Sequence, residues 1–245
     1  MNGEYEDTKS WNPFLGCRFN CIYCFPSFHN VVAWSGRMKR CILCQTYTPH
    51  EHPERLNRIP SKKAIFVCED GDITFARYEF MLRILEVMRE DRREGRLWYL
   101  QSKNPECFNK YLSFLPENTW LLTTLETNID EDYHEISQAP LPSRRYNDFI
   151  NLEWSKKLLT IEPVMDFDLE IFTKWILDLK PRVVFIGYNS HPESVKLPEP
   201  DRKKLWKLIH ILEDKNIHVL KKEMRDRRVM KKAYKDAYHL LIQDS

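Results

Sequence analysis

A chain of 245 residues that is 42% hydrophobic can bury a substantial core within one domain, and its net charge of +2 excludes a uniformly polyanionic or polycationic protein. No stretch approaches the ~18 consecutive apolar residues of a membrane-spanning helix, and the first seven residues are acidic where a signal peptide is basic. Seven cysteines, most in C-x2-C or C-x3-C spacing, read as metal ligands of a reducing cytoplasm and exclude a secreted disulfide framework; an intracellular protein without a membrane partner is expected.

In chain order, a first strand near residues 9–11 leads into the run Gly16-Cys17-Arg18-Phe19-Asn20-Cys21-Ile22-Tyr23-Cys24. Cys17, Cys21 and Cys24 can bring three thiolates onto one iron-sulfur cluster, because soft thiolates suit iron-sulfur chemistry. Three ligands for four irons leave one iron open to react. A zinc site with His29 as fourth ligand, or three unrelated buried thiols, are the alternatives. Residues 26–60 carry little apolar periodicity and hold Cys41, Cys44, His50 and His52, the donors of a metal-stapled insertion. Structural zinc, an auxiliary iron-sulfur cluster and a metal-free reduced pair all remain open there. The His-x-His spacing is tighter than in zinc fingers, which puts one of the two histidines in question.

From residue 64 onward, short apolar runs alternate with helical patterns, the mark of parallel βα units. Runs at 64–68, 97–100, 120–125, 157–161, 182–186 and 218–220 each end in polar or turn-forming residues. Between the first two, Phe80, Met81, Ile84, Leu85 and Met88 recur at helical spacing. Further helices are expected after residue 105, over about 168–179 and around 202–212. Cys107, Phe172, Trp175, Trp206 and Ile209 read as core. The expected fold is an α/β partial (β/α)6 barrel of six strands with an appended seventh, in a single domain over 1–245, its polar strand ends carrying the site as in other α/β barrels. The segment 201–245 is expected to be a basic helical end: between Arg202 and Lys235, 13 Lys or Arg face four acids, so the local balance is 13 − 4 = +9 and the remainder carries −7. Such a positive face suits a nucleic acid or another polyanion; solvated helices explain it equally.

The C-x3-C-x2-C loop with an aromatic residue before its third cysteine resembles the signature of the radical S-adenosylmethionine (radical SAM) superfamily. The resemblance implies a 4Fe-4S cluster on Cys17, Cys21 and Cys24, S-adenosylmethionine bound at the open iron with its adenine near the backbone of Tyr23, reductive release of a 5′-deoxyadenosyl radical, and a reducing electron donor as partner. Trp11-Asn12-Pro13, Gly71-Asp72-Ile73, Ser102-Lys103-Asn104-Pro105, Glu126-Thr127-Asn128 and Ile161-Glu162-Pro163, in that order, resemble the phage Gp37/Gp68-like, or three-Cys-motif, group of radical SAM proteins. That group is distantly similar to spore photoproduct lyases, which repair a thymine dimer in DNA and use a cysteine at the end of the second strand as hydrogen donor; Cys68 stands in a comparable place, and a small buried hydrophobe is the other reading of it. By the same resemblance Asp70, Asp72, Ser102, Lys103, Glu126, Asn128 and Glu162, at strand ends, are candidate contacts for the cosubstrate. Each acid or asparagine among them can equally be a helix N-cap. The expected activity is radical modification or repair of a nucleic acid or nucleotide. A radical SAM enzyme for a protein, peptide or small metabolite, and a zinc-stabilised nucleic-acid-binding module, are the rivals.

Overall fold

The computed structural model describes residues 8–29, 41–222, 224 and 238–242. The middle of the expected insertion, residues 30–40, and the core of the basic end, residues 225–237, lie outside them. Nine strands occur among the described residues: β1 (Thr8–Trp11), β2 (Phe14–Leu15), β3 (His50–Glu51), β4 (Ala64–Val67), β5 (Leu97–Gln101), β6 (Thr119–Thr124), β7 (Lys157–Ile161), β8 (Val183–Ile186) and β9 (His218–Lys221). Seven of them form one parallel sheet in the order β1-β4-β5-β6-β7-β8-β9, with Trp11 opposite Val67, Val67 opposite Leu100 and Leu100 opposite Leu121. Each lies within about one residue of its expected position; the inner strands β4 to β8, buried on both faces, read as largely apolar runs, whereas β1 and β9 at the edges are partly exposed.

The two faces of the sheet are filled differently. On one, Ile65, Val67, Trp98, Leu100, Leu121 and Val184 join the main core with the helices Tyr78–Glu90, Pro142–Ile150, Leu169–Leu179 and Arg202–Asp214. The first of these buries the five residues whose spacing announced it. Asp168 and Asp201 cap the last two by accepting from Ile171 N at 2.8 Å and Lys203 N at 2.7 Å, contacts of about 1 kcal/mol each. On the other face, Phe66, Tyr99, Trp120 and Leu122 pack with Tyr238 and Leu241 from the end of the described chain. Towards the carboxyl ends of the strands this inner face turns polar, at Gln101, Thr124 and Thr160.

Three features differ from the sequence reading. β1 does not run straight into the cysteines: β2 intervenes and pairs antiparallel with β3, forming a two-stranded ribbon. The segment after β5 is a 3-10 helix, Pro105–Phe114, which still buries Cys107. After β6 come two helices, Tyr133–Ile136 and Pro142–Ile150, which the sequence reading did not assign. No described helix is long and apolar enough to cross a membrane.

Candidate active site

The cysteine loop is fastened to the end of β4 by two glycines. Gly16 has φ +90° and forms a bridge with Gly71: Gly16 N donates to Asp70 O at 3.1 Å and Asp72 N donates to Gly16 O at 3.2 Å. A Cβ on Gly71 would sit 2.9 Å from Gly16 N, so both positions need glycine for this close approach. From there the loop passes Asn20, left-handed at φ 49°, into the 3-10 turn Ile22–Cys24. Gln138 N donates to Phe19 O at 2.7 Å and closes the outer side.

Cys17, Cys21 and Cys24 line one cavity at the carboxyl ends of the parallel strands, walled by Phe66, Gln101, Thr124 and Thr160 of the inner sheet face. Their sulfurs, with His29 on the same wall, form no group of three ligand atoms mutually within 4.8 Å. A single tetrahedral ion with bonds of about 2.3 Å draws its thiolates to within about 3.8 Å of one another. The three thiols and His29 do not take up that arrangement in this structure. Three soft thiolates on one cavity wall, two of them in hydrogen-bond contact, are the donor set that an iron-sulfur cluster takes.

The loop has one preferred thiolate. The Cys24 thiol hydrogen-bonded to it, with the Lys103 ammonium 3.5 Å away and the Ser137 hydroxyl at 3.0 Å, brings Cys21 down to about 5 against the opposing effect of burial. Cys24 moves up for the converse reason, as the donor to Cys21 in a buried place, and burial with the nearby Asp72 raises Cys17. Behind the loop lies a buried charge network. Glu126 contacts Lys103 and the Tyr23 hydroxyl, pairs with Arg145 at 2.8 Å, and accepts from Tyr133 at 3.2 Å. Burial alone would raise the Glu126 carboxyl, but Arg145 and Lys103 outweigh it and hold it at about 2. Burial likewise opposes the charge on Lys103, and Cys21 and Glu126 restore it, so its ammonium stays well above the usual lysine range. Two cations thus balance one carboxylate and one thiolate.

Of the residues singled out from the sequence, Tyr23, Cys68, Asp72, Lys103 and Glu162 line the cavity with the three cysteines. Asp72 also caps the turn Ile73–Phe75 and accepts from Ser102 Oγ at 2.7 Å and Lys103 N at 2.8 Å; burial nevertheless lifts its carboxyl to about 6. Cys68 is left-handed at φ 57°, and burial pushes its thiol up to about 12. Four expected contacts lie off the wall. Asp70 turns to Asn12, which donates to it at 2.6 Å; Ser102 orients Asp72; Glu126 is enclosed by its cations; and Asn128 accepts from Asp168 N at 3.0 Å beside the helix it helps to start. Sequence reasoning passed over Arg145, Tyr133, Ser137 and Thr160. It also counted Lys222 as surface charge, whereas this lysine pairs with Glu162 on the cavity wall. The Thr160 hydroxyl is buried on that wall without a hydrogen-bond partner among the described residues, a polar atom left for a bound group.

Cys41, Cys44, His50 and His52 gather at a separate point, and none of them lines the cavity.

No family model and no curated protein matches this chain. Among solved structures, a point variant of spore photoproduct lyase, a radical SAM enzyme, is similar over 86% of this chain and 75% of that one, with a TM-score of 0.55 at 9% identity. At so low an identity the likeness is one of fold alone: an α/β architecture, a parallel sheet with helices.

Proposed function

We propose that this chain is a radical SAM enzyme whose 4Fe-4S cluster is held by Cys17, Cys21 and Cys24. The observation that carries the reading is three cysteines of one short loop lining a cavity at the strand ends, without converging on a single point. When bound and reduced, the cluster supplies the electron that splits the sulfonium of S-adenosylmethionine and releases a 5′-deoxyadenosyl radical. The protein's own part is orientation and exclusion of water. Lys103 and the Glu126–Arg145 pair fix the charge beneath Cys21. Asp72 and Glu162 are two of the carboxylates on the wall and suit an ammonium or ribose hydroxyls, and the Thr160 hydroxyl, without a partner among the described residues, adds a neutral contact. Cys68 keeps its S–H at neutral pH, as a donor of a hydrogen atom to a substrate radical must.

The substrate class we favour is a nucleic acid or nucleotide. Its supports are the fold shared with spore photoproduct lyase and the +9 balance between Arg202 and Lys235. Membership of the Gp37/Gp68-like group rests on the order of five short motifs. The rival binding module, with zinc at the cysteine loop, needs a convergence of ligands that Cys17, Cys21, Cys24 and His29 lack.

Electron paramagnetic resonance of the anaerobically reconstituted, reduced protein tests the reading. Addition of S-adenosylmethionine should change the cluster signal, because the open iron gains a ligand. A signal indifferent to saturating S-adenosylmethionine would refute the site.

A further inference from the structure

The second cysteine pair and its two histidines take no part in the chemistry proposed above, yet they are arranged with more order than a reduced thiol pair requires. The one-turn helix Ile42–Gln45 sets Cys41 and Cys44 at its two ends. His50 lies on β3 and His52 directly follows it. Along an extended chain alternate side chains share a face, so a spacing too tight for histidines on a helix is correct for histidines on a strand. His50 Nε2 is 3.4 Å from Cys41 Sγ and 3.2 Å from Cys44 Sγ, His52 Nε2 is 3.3 Å from Cys44 Sγ, and all four ligand atoms lie within 4.8 Å of one another.

These lengths identify the kind of centre. A tetrahedral ion with metal–sulfur bonds of about 2.3 Å and metal–nitrogen bonds of about 2.0–2.1 Å has sulfur–nitrogen edges of about 3.5 Å. A two-iron cluster that used cysteines on one iron and histidines on the other would hold them farther apart. The surroundings agree with a mononuclear ion. His50 Nδ1 donates to the Thr48 carbonyl at 2.7 Å and His52 Nδ1 donates to Glu54 Oε1 at 2.8 Å. Each ring therefore carries its proton on Nδ1 and turns the Nε2 lone pair towards the two sulfurs, as metal-bound histidines do.

The same segment touches the cluster loop along its length. Leu15, two residues before Cys17, is paired across the ribbon with His50; His52 N donates to Pro13 O at 2.6 Å and Cys17 N to Tyr47 O at 3.4 Å. A Cβ on Gly16 would stand 2.5 Å from the Thr48 carbonyl. We propose that Cys41, Cys44, His50 and His52 bind one zinc ion, and that this ion fixes the ribbon on which the cysteine loop is built. Two thiolates and two neutral imidazoles suit zinc, and where the ligands come together only on folding the binding free energy of the ion is folding free energy. The positioning role rests on reading Cys17, Cys21 and Cys24 as cluster ligands; the zinc assignment does not.

Metal analysis and zinc-edge absorption of the full chain test both parts. The protein before any iron loading should hold one zinc per chain with two sulfur and two nitrogen neighbours. Cys21→Ala should retain that zinc, and Glu54→Gln, which leaves His52 poorly oriented, should weaken zinc affinity by about 10–100-fold. Cys44→Ser should lose the zinc and then accept several-fold less iron than the wild type on reconstitution. Should Cys44→Ser not fold, cobalt exchanged into the wild type gives the same answer through the intense absorption of a tetrahedral thiolate site. A zinc-free wild type, iron in this site, or an octahedral cobalt spectrum would overturn the assignment. Full iron loading of a folded, zinc-free Cys44→Ser would overturn the positioning role. Zinc content is read without S-adenosylmethionine or reductant, so its failure and a failure of the radical chemistry are separate results.

Discussion

Two groups of cysteines stand close together in this chain and are built on opposite plans. Cys41 and Cys44 converge with His50 and His52 inside 4.8 Å, the ring Nδ1 atoms are committed to a carbonyl and a carboxylate, and nothing is left to react. Cys17, Cys21 and Cys24 spread around the wall of a cavity, backed by a buried lysine, arginine and glutamate, and face the polar ends of the strands. On the proposed reading, cysteines of one chain serve a closed centre in one place and an open one in the other. What separates them is ligand spacing and backing charge, not the count of cysteines.

The largest expected effect comes from Cys21→Ala, which removes the thiolate that Lys103 faces. Cluster iron and 5′-deoxyadenosine formation should fall below detection while zinc content is unchanged; loss of zinc together with iron would mean that the two centres are one folding unit. Next, Glu126→Gln leaves Arg145 and Lys103 without their carboxylate in a buried place, a loss of about 3–5 kcal/mol in urea unfolding. The sign of its pH dependence follows from a carboxyl held at about 2 in the folded chain against an ordinary value of 4.5. The stability it contributes is complete above about pH 5 and is lost as pH falls from 4.5 through 2, so the gap between wild type and Glu126→Gln should close over that window. A gap independent of pH there would sink the ionic account.

Gly16→Ala strikes the junction of the two regions. Its φ of +90° and the 2.5 Å approach to Thr48 predict a loss of at least about 1–2 kcal/mol and lower affinity for both metals, measured by unfolding and metal titration. The smallest effect belongs to Glu162→Gln. Its pair with Lys222 is partly exposed and contributes less than about 1 kcal/mol, so unfolding should change little while the KM for S-adenosylmethionine rises.

That Cys17, Cys21 and Cys24 share one cavity wall was legible in the sequence because three cysteines in one loop declare themselves by spacing, and the inner strands did so as continuous apolar runs. The backing charge was not. Arg144 and Arg145 are adjacent in the chain, yet Arg144 lies exposed against Asp148 while Arg145 is completely buried on Glu126; only the packing of the helix Pro142–Ile150 decides which one turns inward. Lys222 looked like one more charge of a basic end because its partner, Glu162, is 60 residues earlier. That His50 and His52 both reach the two sulfurs was not legible from their spacing, since a two-residue strand such as β3 leaves almost no periodicity to detect.

The most direct measurement is the yield of 5′-deoxyadenosine from the anaerobically reconstituted and reduced wild type given S-adenosylmethionine, beside Cys17→Ala, Cys21→Ala and Cys24→Ala. The account predicts product from the wild type and none from any of the three. Product that persists in those variants, or a wild type with full iron and a nucleic-acid substrate present that forms none, would contradict it.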